Sequence, residues 1–317
     1  MQAIAIRSGE LEFQNNAAQP TLGNDEVLVR VTLAGICETD LQLVAGYMGF
    51  EGILGHEFVG VAQDGKFAGQ RVVGEINCNC HQCPRCQNAM GNHCGNRTVI
   101  GIAGHDGAFA QFIAVPEKNL HVVPDNVSDD EAVFVEPLAA AFQITDQVTI
   151  TRDQNLMILG DGRLAFMCAN VLKLTGAALT VIGKHPTKLD RFVKLGVHII
   201  ELGTDVPTES FDLVVDCTGS PTGLPLAMQL VCPRGTIVMK TTVAANHNVS
   251  LAPIVINEIN LVGSRCGPFD QAVAALAQGR VKLDSLITHR FSLCQAKEAL
   301  ECAKQSDAFK VVFEIPN

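Results

Sequence analysis

Leu156-Met157-Ile158-Leu159-Gly160-Asp161-Gly162-Arg163-Leu164-Ala165 is the stretch on which the fold turns. A short apolar run bounded by glycine predicts a buried strand over 156–159, and the apolar pattern that follows predicts a helix over 164–175. The junction reads G-x-G-x-x-A. Gly160 permits a tight turn, Gly162 lets backbone N–H groups approach a pyrophosphate, and Ala165 keeps helix and strand close. The helix N-terminus adds partial positive charge. Gly160, Gly162, Arg163 and Leu164 are therefore candidate dinucleotide contacts.

Downstream, strands over 179–182, 213–216 and 236–239 alternate with helical patterns such as 188–195. That alternation predicts a parallel, doubly wound sheet of the Rossmann kind. Upstream the texture differs: short strands, such as Val27-Leu28-Val29-Arg30-Val31, are broken by glycines and Asp64-Gly65. A change near Pro137 to an Ala-rich helix over 138–148 marks a domain boundary. The expected division is 1–137 as a first domain, 138–265 as a second domain that carries the glycine turn, and 266–317 returning to the first.

Twelve of the 317 residues are cysteine. Cys80-x2-Cys83-x2-Cys86-x7-Cys94 has the closed spacing that a tetrahedral structural zinc takes from four thiolates. Cys37, His56 and Glu57 look instead like an open site, with a position for water or substrate. The start of the chain shows no secretory signal pattern and no apolar run reaches membrane-spanning length. A cytoplasmic location is expected, where clustered cysteines bind metal rather than form disulfides. The formal net charge of −10, without a basic run, argues against nucleic acid or an anionic membrane as partner. A small-molecule substrate is the expectation. His121, His185, His198, His247 and His289 form no ligand-spaced set.

With those elements in place, the sequence resembles the zinc-dependent medium-chain dehydrogenase/reductase family over nearly its whole length. The resemblance is carried by Gly35-Ile36-Cys37-Glu38-Thr39-Asp40, Gly55-His56-Glu57-Phe58-Val59-Gly60, the four-cysteine loop, Val135-Glu136-Pro137-Leu138-Ala139, and residues 211–220. It implies an α/β protein: a GroES-like β-barrel catalytic domain beside a Rossmann domain. It implies zinc-assisted interconversion of an alcohol and a carbonyl with a nicotinamide cofactor. Cys37 and His56 would be catalytic zinc ligands, with Glu57 or Glu136 as the carboxylate ligand. Asp40 would orient His56 and Thr39 would carry the proton. Gln42 stands where some members end a proton relay in histidine. Thr218, Arg265 and Lys310 would lie near the cofactor, Lys310 at its pyrophosphate. A non-catalytic zinc- and dinucleotide-binding redox sensor on the same fold is the alternative.

Two further expectations concern cofactor choice and assembly. An NAD enzyme of this fold ends its second strand in Asp or Glu, which binds the ribose and repels a 2′-phosphate. Here Gly183 takes that slot, followed by Lys184 and His185, so NADP(H) is favoured over NAD(H). The apolar segments Ile254-Val255-Ile256 and Ile259-Asn260-Leu261-Val262 read as an exposed sheet edge, predicting a homodimer or dimer-based oligomer.

Overall fold

Residues 156–159 lie at the heart of a six-stranded sheet, all parallel, in the order His198–Glu201, Ala178–Gly183, Asn155–Leu159, Phe211–Asp216, Val231–Met239, Asn260–Gly263. Leu156, Met157, Ile158 and Leu159 are wholly buried, as a strand covered on both faces must be. Each contributes about 2 kcal/mol by leaving water. The helix Arg163–Lys173 packs back on this strand, and Phe166 meets Phe192 of the helix Pro186–Lys194 edge to face at 5.3 Å. The computed structural model describes all residues except 205–207, 243–248, 282, 284–285 and 317; His247 therefore lies outside the described residues.

Packing divides the chain into one unit of Met1–Glu136 with Phe269–Asn317, and another of Pro137–Pro268. In the first, a mixed sheet runs Leu120–Val122, Arg71–Gly74, Glu57–Ala62, Glu26–Gly35, Lys310–Glu314, Ile287–Phe291, with Phe112–Pro116 also paired to Glu26–Gly35. Burial alternates along most of Glu26–Gly35, so one face of that strand supplies the core. Phe109 and Phe313 meet edge to face at 4.9 Å, fastening the last strand.

One sequence expectation is corrected. Ile254, Val255 and Ile256 are not a sheet edge but the end of the helix Ala252–Ile256. Pro253 sits in its first turn, where a missing N–H costs nothing, whereas a strand would lose a ladder bond there. The edge itself is Asn260–Gly263.

Candidate active site

Three neighbouring strands bring the open ligand set together. Gly35 at the end of Glu26–Gly35 lies opposite both Glu57 and Val312, so Cys37, His56, Glu57 and Lys310 converge at one end of the sheet. Cys37 caps the helix Glu38–Val44, and Asp40 accepts its N–H at 2.8 Å through Oδ2. The other carboxylate oxygen of Asp40 lies 3.3 Å from His56 Nδ1, leaving the second ring nitrogen for a ligand. The Cys37 thiol, the His56 ring and a Glu57 carboxylate oxygen all lie within 4.8 Å of one another. Glu136, in the first turn of Val135–Gln147, is half-buried and does not join that group.

Asp40, His56, Glu57 and Lys310 are all buried. Burial pushes the His56 ring down, but Asp40 and the Cys37 thiolate outweigh it and hold the imidazole well above its usual pKa. Burial pushes the Cys37 thiol up, and His56 more than offsets this, holding the thiol below its ordinary pKa. A thiol, an imidazole and a carboxylate gathered this closely, the last two buried, suit an open zinc site. Thr39 Oγ1 lies 3.9 Å from Cys37 Sγ. Gln42 is exposed and its amide donates to Glu38 Oε1 at 3.2 Å, so it faces away from these groups.

Lys310, expected at the cofactor pyrophosphate, is buried beside the open ligand set. The residue is 1% exposed, and its ammonium is ion-paired with Glu57 Oε2 and stands 5.5 Å from the centre of the Phe134 ring. A Cβ on Gly35 would lie 2.5 Å from Lys310 Cε and 2.9 Å from Glu57 Oε2, so only glycine leaves room for the pair. Burial lowers the Lys310 ammonium to about 8.

The four-cysteine loop is built as a separate centre. Its sulfur separations are 3.5 Å for Cys83–Cys86 and Cys80–Cys94, 3.8 Å for Cys83–Cys94 and 4.0 Å for Cys80–Cys86. Tetrahedral zinc with bonds of about 2.3 Å requires edges of about 3.8 Å, so the donors fit that ion. Backbone N–H groups of Gln82 and Cys83 lower the Cys80 thiol to about 6. Cys78 stands apart in the strand Asn77–Cys78, where burial raises its thiol to about 12.

In the second unit, Gly160 has φ +113°, and a Cβ there would approach the Cys217 carbonyl oxygen to 2.7 Å. Gly162 caps Arg163–Lys173 without a side-chain bond, and a Cβ on it would meet nothing within 4 Å. Open space in front of a helix N-terminus, beside a glycine turn, fits a pyrophosphate. Arg163 and Leu164 form the helix's first turn. Thr218 donates its hydroxyl and its N–H to buried Asp216, at 2.7 and 2.9 Å. The Arg265 carbonyl accepts from buried Lys240 at 2.9 Å, and the Arg265 side chain is exposed.

Asp161 is the residue that motif reading passes over. Its Oδ2 accepts the N–H groups of Lys184 and His185, both at 2.7 Å, and the His185 Nδ1 lies 3.0 Å away. Burial raises its carboxyl, but the bonds from His185 and Lys184 outweigh this and hold it below the usual range. An acid inside the glycine turn, with histidine just beyond the second strand, was the available signal.

Known proteins are similar to this chain. The alcohol dehydrogenase GroES-like domain matches residues 23–125. Sorbitol dehydrogenase of Bombyx mori is 26% identical, covering 94% of each chain. A Sinorhizobium meliloti 1021 protein described as a zinc-binding dehydrogenase, solved with NADP, is 26% identical with a TM-score of 0.89 over 99% of both chains. An alcohol dehydrogenase of E. coli CFT073 complexed with NADH is 26% identical, with a TM-score of 0.90 over 99% of both. The chain thus carries an alcohol dehydrogenase GroES-like segment and a parallel six-stranded sheet, and over nearly its whole length it is similar to zinc-binding and alcohol dehydrogenases.

Proposed function

We propose that the chain interconverts an alcohol and an aldehyde or ketone by zinc-dependent hydride transfer with a nicotinamide cofactor. The convergence of Cys37, His56 and Glu57, with their donor atoms within 4.8 Å of one another, carries this reading, in a chain that also holds the glycine turn of Gly160 and Gly162. When bound, zinc supplies Lewis acidity that lowers the pKa of a substrate hydroxyl, and the nicotinamide supplies the hydride acceptor. Cys37, His56 and Glu57 would hold the metal. Asp40 fixes the His56 ring, and the Thr39 hydroxyl would relay the released proton, accepting it while passing its own proton on towards water. The onward path does not run through Gln42, whose amide is turned to Glu38. Cys80, Cys83, Cys86 and Cys94 hold a second zinc that staples their loop.

The same reading extends to cofactor choice and assembly. NADP(H) is preferred over NAD(H), because Gly183 carries no acid and Lys184 offers an exposed ammonium. A homodimer forms along the edge strand Asn260–Gly263. Leu261 is exposed on that strand, and Val255 and Ile256 in the helix before it are each 77% exposed. Clustered metal-binding thiols suit a reducing, cytoplasmic compartment. Among the described residues no helix is long and apolar enough to cross a membrane.

A panel of primary alcohols, secondary alcohols and polyols, followed by nicotinamide absorbance, tests the activity. Turnover with at least one class supports it; zinc-loaded protein that binds cofactor yet transfers no hydride in either direction contradicts it.

A further inference from the structure

We infer that Asp161, reaching from the glycine-rich turn, is the acidic residue that sets the balance between NADPH and NADH in this chain. The inference deepens the nicotinamide reading above and rests on it. In this fold the acid at the end of the second strand meets the adenosine ribose. The strand Ala178–Gly183 ends in glycine, and a Cβ built there would lie 2.7 Å from both Asp161 Cβ and Asp161 Oδ2. An acid at position 183 has no room. Its place is taken by an acid delivered from the other side of the turn.

Two consecutive backbone N–H groups with an imidazole beside them make a concavity suited to an anion. Asp161 fills it: both N–H groups point at one oxygen, and the His185 ring lies 3.0 to 3.1 Å from the carboxylate. Its side chain is 9% exposed. A 2′-phosphate at this strand end therefore meets a negative charge that already holds the local donors. A ribose diol needs only an acceptor. The exposed Lys184 ammonium acts in the opposite sense, so Asp161 narrows the preference for NADPH that Gly183 and Lys184 create.

Asp161→Asn separates charge from shape, because an amide oxygen still accepts the two N–H groups while the charge is gone. NADPH and NADH are titrated separately into the zinc-loaded parent and variant, following cofactor fluorescence. The ratio of NADPH to NADH affinity is expected to rise about tenfold in the variant, the effect of one nearby charge. Asp161→Ser, smaller and neutral, should move the ratio the same way and serves if the Asn variant misfolds. Equal changes for the two cofactors would assign Asp161 a purely structural role and overturn the inference. The parent's own ratio tests the NADP(H) preference separately. A parent that binds NADH more tightly fails that preference, while a ratio that still moves upholds Asp161. Binding of neither cofactor would sink both.

Discussion

Lys310 and Glu57 show how one residue type can decide a site. Two opposite charges, both almost fully buried, are stable only as a pair, and Gly35 leaves the space in which they meet. Removing one partner strands the other in a low-dielectric pocket. Lys310→Met should lower unfolding stability by about 3–5 kcal/mol, and the double change Glu57→Gln with Lys310→Met should recover most of it. Chemical denaturation after mild chelation measures both; additive losses would show that the two groups do not act together. The four-cysteine run was legible in the sequence because its spacing suits a tetrahedral ion, and Cys37, His56 and Glu57 were legible through the motifs that contain them, and the structure brings each set together. The partnership of Lys310 with Glu57 was not, since strand pairing alone brings position 310 beside position 57. Asp161 was hidden differently, in a motif slot treated as variable.

Among elements, the strand Leu120–Val122 and the helix Phe269–Ala277 are joined by a histidine clasp. His121 lies 3.0 Å from Glu75 through Nε2 and 2.7 Å from Asp270 through Nδ1, and its ring packs against Phe269. Burial lowers its pKa, but the two carboxylates outweigh this, so the folded state holds the imidazolium above its ordinary value. The stabilisation is complete below the unfolded pKa, roughly 6.5, and is lost as pH rises through the raised folded pKa. Asp270 is exposed, so the clasp contributes only about 0.5–1 kcal/mol. His121→Gln should therefore cost that much at pH 5.5 and nearly nothing at pH 9, by denaturant titration. A pH-independent difference would show that charge plays no part. At this scale the nucleotide sheet was readable from alternation of strand and helix. Ile254 to Ile256 misled, because a short apolar run suits a helix end as well as a strand, and Pro253 decided between them.

For the molecule as a whole, the exposed side chains of Val255, Ile256 and Leu261 beside the edge strand Asn260–Gly263 call for a partner. Sedimentation at micromolar concentration should report a dimer or a dimer-based oligomer, and Val255→Lys with Leu261→Lys should yield monomers. A monomeric parent would contradict the proposed edge pairing. Under the proposed function, two centres built differently serve different ends: one would staple a loop and the other would carry alcohol oxidation. Zinc content and alcohol-dependent nicotinamide reduction, measured together through chelation and reloading, test it most directly. The parent should hold about two equivalents, lose the open-site metal and its activity together under mild chelation, and regain both when zinc returns. Undiminished turnover after the open-site zinc is gone, or in Cys37→Ala, would show that the Cys37 centre is not the seat of the reaction.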